Sequence, residues 1–348
     1  MRAAVLEDIG KIVVKEVEKP RCTIDSILLK VEASAICGTD IRVVRSGSKL
    51  IKKLPQIIGH EIAGTAVEVG SAIKDVRKGD RLAIVPSNPC GECKICKRGL
   101  PPDLCPNHRP IGFVYPGGFA EYTLIPPSAV RVKAYVKIPD GIDFSEAAIA
   151  EPLGCVIHGQ DMLDVHPGDT VVVIGAGPIG CMHLEVARSR GAKKRILMGR
   201  SEHRLKLARE LQLADVYVNN TTEDPIQRVL EETDGDGTDV VITATPSGET
   251  HALALEIAGI RGRINLFGGL PKNNPYVRFN SNEVHYKELT VLGSAGTGRA
   301  EMRVALDLMA QGKITPRRFI THELPLDEIL KGMEIVRKGK GLKVIIRP

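Results

Sequence analysis

The chain has 348 residues, enough for about two domains, and its 43% hydrophobic and 26% charged residues are a globular balance. The net charge of +6 is modest for this length, and with no Trp and 3% aromatics there is little to stack on bases, so a nucleic-acid partner is not expected. No apolar run reaches the roughly 18 residues of a membrane helix, and MRAAVLEDIGK lacks the apolar core of a signal peptide, so no membrane span is expected and the expected compartment is the cytoplasm.

In chain order, the first part, to about Pro139, reads as β-rich. KIVVKEV, SILLKVEAS and EIAGTAVEV are short Val/Ile runs broken by Gly, Pro and Asp. A helix is hard to place before DFSEAAIAEPLGCVIHG, where Ser145 and the following Glu-Ala-Ala open a helical pattern. From about Pro167 strands and helices alternate. Strand DTVVVIG leads to a helix over 178–190, then strand RILMG, a helix across EHRLKLAREL, strand VYVN, a helix across DPIQRVLEE and strand DVVITAT. A helix near GETHALALEIA, then GRINLFGG and ELTVLGS, end the series. This alternation predicts a doubly wound parallel sheet, and strands as apolar as VVVIG suit one buried on both faces. After Ser294, RAEMRVALDLMAQG places Val304, Ala305, Leu308 and Met309 at helical spacing, and LDEILKGMEIVRKG does the same with Ile329, Leu330, Met333 and Val336. GLKVIIRP closes as a short strand.

Four of the eight cysteines crowd into PCGECKICKRGLPPDLC, as Cys90, Cys93, Cys96 and Cys105. Three thiolates on one tight turn with a fourth returning after a loop suit a structural Zn2+ whose closed tetrahedral shell leaves no room for substrate. Reduced surface thiols and an iron–sulfur cluster are the other readings, and the spacing matches a ferredoxin poorly. Three further pieces are weak alone: ICGTD with Cys37, Thr39 and Asp40, GHE with His60 and Glu61, and EPLGC with Glu151. Cys, His and carboxylate are the ligand types of a catalytic zinc that keeps one position open. Separately, Cys37 reads as a small buried hydrophobe, His60 as a core histidine and Glu151 as a helix-start acid.

Gly175, Gly177 and Gly180, with Pro178 and Ile179 between them, follow the apolar strand VVVI and open a helix. That is the context of a pyrophosphate-binding turn. An acidic residue about 20 residues on normally holds the adenosine ribose. Here strand RILMG ends in Gly199, followed by Arg200, Ser201 and, further on, Arg204. Without the carboxylate, and with a guanidinium suited to phosphate, the stretch favours NADP(H), with NAD(H) possible if Arg200 only faces solvent.

Taken together, CGTD, GHE with IAGTAVEVG, VRKGDRLA, the Cys lobe, GGFAEY, EPLGC and VIGAGPIG resemble the zinc-dependent medium-chain dehydrogenase/reductase (alcohol dehydrogenase) family over essentially the whole chain, closest to its sorbitol (polyol) and threonine dehydrogenase branch. The resemblance implies an α/β chain with a Rossmann domain at 151–294 and a β-rich GroES-like catalytic domain formed by 1–150 together with 295–348. It implies catalytic zinc on Cys37 and His60, with Glu151 or Glu61 as the acidic ligand, structural zinc on Cys90, Cys93, Cys96 and Cys105, and Asp40 orienting His60. Thr39 would hydrogen-bond the substrate oxygen and open the proton path, while zinc lowers the hydroxyl pKa and the nicotinamide takes the hydride. The implied reaction is oxidation of a secondary hydroxyl of a polyol, sugar alcohol or sugar derivative, or alternatively a threonine 3-dehydrogenase or simple secondary-alcohol reaction. A homo-oligomer, tetramer or dimer, is also implied.

Two departures stand out. Cys96 and Cys105 are one residue further apart than the family usually has, the extra residue lying in LPPDL. The segment 42–53, RVVRSGSKLIKK, carries Arg42, Arg45, Lys49, Lys52 and Lys53 where sorbitol dehydrogenases often carry aromatics. It is either a solvated basic loop or a contact for an anionic substrate such as a sugar phosphate or sugar acid. Two rival readings explain less. A zinc-finger-like nucleic-acid binder leaves GAGPIG, CGTD and GHE without a role, and a zinc-free quinone reductase predicts loss of ligands that the sequence retains.

Overall fold

A computed structural model describes residues 1–348. The chain separates into two compact units, Met1–Cys155 with Gly296–Pro348, and Val156–Ala295.

In the first unit, the nine-residue strand Ile27–Ala35 pairs antiparallel with Glu61–Val69 and Tyr122–Ile125. The sheet runs on through Arg81–Ile84 to Tyr135–Lys137. On the other side the last strand, Lys343–Arg347, returns to pair with the end of Ile27–Ala35 and, in parallel, with Ile320–Pro325. A second sheet joins Lys11–Glu16, Arg2–Asp8 and Gln56–Ile57. Apolar side chains from strands and helices meet in a core that includes Leu6, Ile36, Val43, Ile58, Phe119, Ile329 and Met333.

The helix Gly38–Ser46 has no counterpart in the sequence expectation. Gly38 and the β-branched Thr39, Ile41, Val43 and Val44 all lower helix propensity. It forms because Asp40 caps it, its carboxylate accepting from the Cys37 N–H at 2.9 Å, and because Asp40 and Val43 bury one side. Gly47, at φ 69°, ends it. In the late helix Arg299–Ala310 the buried face is Met302, Ala305, Leu306 and Met309, and Val304 is exposed. Helix Ile329–Lys338 buries Ile329, Gly332 and Met333 and exposes Leu330. Ala305, Met309, Ile329 and Met333 are buried as expected, whereas Val304 and Leu330 face solvent, because an apolar residue beside the stripe satisfies the i, i+3, i+4, i+7 pattern without lying on the buried face.

The second unit is a six-stranded, wholly parallel sheet in the order Val216–Asn219, Lys194–Gly199, Thr170–Ile174, Thr238–Thr243, Ala258–Asn265, Thr290–Leu292. The order reverses beside Thr170–Ile174, which makes its carboxyl end the switch point where ligands bind in such sheets. Val172, Ile174, Ile196, Met198, Val241 and Ile264 fill its core, as strands covered on both faces require. The short helix Ser281–Tyr286, capped by Asn280, has no counterpart in the sequence pattern.

Candidate active site

The strand register explains why three separate motifs converge. Glu61, the first residue of its strand, lies opposite Ala35, so it and the preceding His60 sit beside the point where the neighbouring strand runs out toward Cys37. One ligand atom each of Cys37, His60 and Glu61 lies within 4.8 Å of the others. Asp40 stands behind them. One of its oxygens accepts from the Cys37 N–H, and the other is 3.2 Å from His60 Nδ1, in ion-pair range but without hydrogen-bond alignment. Burial pushes the His60 imidazole down, yet Asp40 and Cys37 outweigh it and raise its pKa well above the ordinary value.

Glu61 is fully buried. One carboxylate oxygen is paired with the buried Lys343, whose ammonium also donates to the Ile36 carbonyl at 3.3 Å. The other oxygen, Oε1, has no hydrogen-bond partner. A buried, unpaired anionic oxygen beside a thiol and an imidazole is what a cation would satisfy, so the donor set fits Zn2+. Glu151 lies outside this three-atom group. Burial raises its pKa to about 7, with His60 and Lys343 opposing and Glu61 and Asp103 adding to the shift, and its Oε1 accepts from the Cys155 thiol at 3.6 Å.

Thr39 sits in the first turn of Gly38–Ser46, half-buried, next to Cys37. Its hydroxyl oxygen accepts from Arg42 Nη2 at 3.4 Å, which leaves its own proton available to another acceptor.

In the lobe, Cys90, Cys93, Cys96 and Cys105 are free thiols with sulfur–sulfur distances of 3.4–3.9 Å. A tetrahedron with metal–sulfur bonds of about 2.3 Å has edges of about 3.8 Å, so the array fits zinc. Backbone N–H groups of Glu92 and Cys93 lower the Cys90 thiol to about 6, whereas burial raises Cys96 to about 12. Helix Lys94–Lys97 carries Cys96, and the 3-10 turn Pro102–Leu104 delivers Cys105 and takes up the long Cys96–Cys105 spacing.

At the switch point a cavity of about 650 Å³ is lined by Gly175, Gly177, Gly199, Arg200, Ser201 and Arg204, and also by Asn220, Thr221, Thr245 and Glu249. Pro178, Ile179 and Gly180 lie in the first turn of helix Pro178–Ser189. Two glycines are obligatory. Gly175 has φ 131°, and a Cβ on Gly180 would lie 1.8 Å from the Gly175 carbonyl. A Cβ on Gly177 would meet only Arg204 Nη1, at 3.7 Å, so this guanidinium stands over the glycine turn. Ser201 caps helix Glu202–Glu210 through Arg204 N–H at 3.5 Å. Arg200 is exposed and has neither an ion-pair nor a hydrogen-bond partner. Gly199 is tighter than its sequence suggests, because a Cβ there would be 3.0 Å from the Ala176 Cβ.

Sequence reasoning missed several neighbours. Lys343 was readable as a lone cation in the apolar strand KVII, which demands a buried partner. Asn220 and Thr221 follow a strand end on the same rim as Gly199. Asp103, a lobe residue that accepts from Ser87 at 2.8 Å, and Cys155 gave no signal of their own.

Residues 23–140 match the alcohol dehydrogenase GroES-like domain and residues 178–311 the zinc-binding dehydrogenase domain. The chain is 34% identical to L-threonine 3-dehydrogenase of Bacillus subtilis (strain 168), over 97% of this chain and 95% of that one. It is 31% identical to sorbitol dehydrogenase of Bombyx mori, over 99% and 97%. Among solved structures, a zinc-binding dehydrogenase of Sinorhizobium meliloti 1021 bound to NADP superposes with a TM-score of 0.91 at 34% identity, covering 100% of this chain and 99% of that one. No helix is long and apolar enough to cross a membrane. With a β-rich unit carrying a Cys–His–Glu cluster and a four-thiol lobe, and a parallel-sheet unit with a glycine-rich turn, the chain belongs to the zinc-dependent medium-chain alcohol dehydrogenase family and is an alcohol/polyol dehydrogenase.

Proposed function

We propose that the enzyme oxidises a secondary hydroxyl of a polyol, sugar alcohol or sugar derivative, and that it prefers NADP+ to NAD+. The observation that carries the reaction is the meeting of Cys37, His60 and the unpaired Glu61 Oε1 beside Thr39. In this reading Cys37, His60 and Glu61 hold zinc, with Glu151, whose buried carboxyl interacts electrostatically with His60 and Glu61, as the alternative acidic ligand, and the four lobe cysteines hold a structural zinc. When bound, zinc supplies the Lewis acidity that lowers a hydroxyl pKa, and the nicotinamide accepts the hydride. Thr39 orients the substrate oxygen and passes its proton outward. Asp40 faces Nδ1 of the His60 ring in ion-pair range, which leaves Nε2 as the nitrogen to ligate.

The cofactor preference rests on Gly199 and the unpartnered Arg200 at the adenosine end of the glycine-rich cavity, with Ser201 and Arg204 as further donors. Assays of polyols, L-threonine and simple secondary alcohols, each with both cofactors and with zinc counted by elemental analysis, test the reading. About two zinc ions per chain and a higher kcat/KM with NADP+ are expected. A zinc-independent enzyme would overturn the mechanism. A preference for NAD+ would overturn only the cofactor assignment.

We also propose a homo-oligomer, dimer or tetramer, in the cytoplasm. The edge strand Thr290–Leu292 leaves Val291 exposed, with Tyr286 exposed just before it and Ile260 exposed on the adjacent strand Ala258–Asn265. Light scattering on purified protein tests it, and a monomer would refute it.

A further inference from the structure

The geometry points to Arg42 as a determinant of substrate class: the enzyme selects alcohols that carry an anionic group, phosphate or carboxylate, close to the reacting carbinol. This rests on the dehydrogenase reading above and narrows its substrate.

Helix Gly38–Ser46 buries Asp40 and Val43, so Thr39, Arg42 and Arg45 fall on its open side. Arg42 is three residues beyond Thr39 and reaches back to it, with Nη2 at 3.4 Å from the hydroxyl that meets substrate in this reading. A guanidinium has five donors, and this single long contact engages one of them. Arg42 has no carboxylate partner, and neither have Arg45, Lys49, Lys52 and Lys53, while the segment 42–53 contains no acid of its own. Elsewhere the surface cations are commonly paired, as Lys11 and Lys15 are with Glu7, and Arg337 with Glu334. Five unpaired cations that begin beside the candidate proton-transfer residue leave a local positive field without an internal counter-charge.

The Arg42 guanidinium offers only donors and no acceptor, so it is not the relay that takes the proton from Thr39. Its chemistry is that of a fixed charge and a planar fork, which matches phosphate or carboxylate oxygens two at a time. Because the fork touches Thr39, the anion must be near the carbinol and not at the far end of a long chain. Lys49, Lys52 and Lys53 extend the field and draw the anion in.

The test compares kcat/KM of the zinc-replete enzyme for a neutral polyol, the corresponding polyol phosphate and the corresponding aldonate, in wild type, Arg42→Gln and Arg42→Lys, at low and high salt. The expected result is at least a tenfold preference for one or both anionic substrates. Arg42→Gln should cut that preference at least tenfold, mainly through KM, with part restored in Arg42→Lys and the wild-type preference weakened by salt. The phosphate and aldonate arms show which anion is preferred. Equal kcat/KM for neutral and anionic substrates, or a preference unchanged in Arg42→Gln, overturns the inference while the dehydrogenase reading stands. No turnover of any alcohol with either nicotinamide would instead remove the reading on which it rests.

Discussion

Arg200 lines the cavity at the switch point without a protein partner, so its positive charge is uncommitted. A hydrogen bond to a charged group contributes about 1.5–3 kcal/mol. Arg200→Leu should therefore lower kcat/KM for NADP+ by roughly 10- to 100-fold and change that for NAD+ much less, which steady-state kinetics will show. Restoring an acid by Gly199→Asp is a less clean experiment, because the new Cβ crowds Ala176. Lys343 offers a sharper test of stability. It and Glu61 are both buried, and removing one member of such a pair leaves the other charge uncompensated. Lys343→Met is expected to cost about 3–5 kcal/mol in urea unfolding of the metal-free protein. The loss should shrink when zinc is added, because the cation then offsets the Glu61 charge.

At the scale of elements, helix Pro178–Ser189 carries a buried histidine outside the proposed chemistry. His183 packs edge-on against Phe267 and lies 3.3 Å from Gln160 Nε2. Burial, with Arg190 adding to it, lowers its pKa to about 3. The native state holds it neutral, whereas the unfolded chain binds a proton below about pH 6.5. Its contribution is therefore complete above pH 6.5 and is lost as pH falls toward 3, by about 1.4 kcal/mol per pH unit. His183→Leu should remove one proton from the pH dependence of unfolding in that window, and an unchanged slope would show that the imidazole is not the group responsible. The thiol lobe is a second such element, with few buried apolar residues to hold it. Cys93→Ser should drop the zinc content by about one ion and lower the melting temperature. The strands and helices of the parallel sheet were legible because buried β runs and amphipathic helices alternate with clear turn residues. Helix Gly38–Ser46 was not, because its residues favour strands and only a side-chain cap and its packing against Ile329 and Met333 overturn that preference.

For the molecule as a whole, the dehydrogenase family was readable from its motifs, since glycine spacing and cysteine spacing are local. Gly175 needs its positive φ from its own backbone, and Cys90, Cys93 and Cys96 are brought together by one short turn. The candidate catalytic cluster is a different kind of fact. Cys37, Glu61 and Lys343 come from three strands or strand ends far apart in sequence, and only the sheet register sets them side by side. By itself the sequence determined which chemical groups are present, the alternating pattern of the parallel sheet and the lobe that gathers four thiols. Tertiary structure decided that Glu61 presents a bare oxygen beside Cys37 and His60, that Glu151 stays outside that group, and that Arg42 touches Thr39. The reason is that short-range spacing constrains only residues on one turn or one helix face, whereas long-range contacts depend on register and packing, which many sequences can satisfy in many ways.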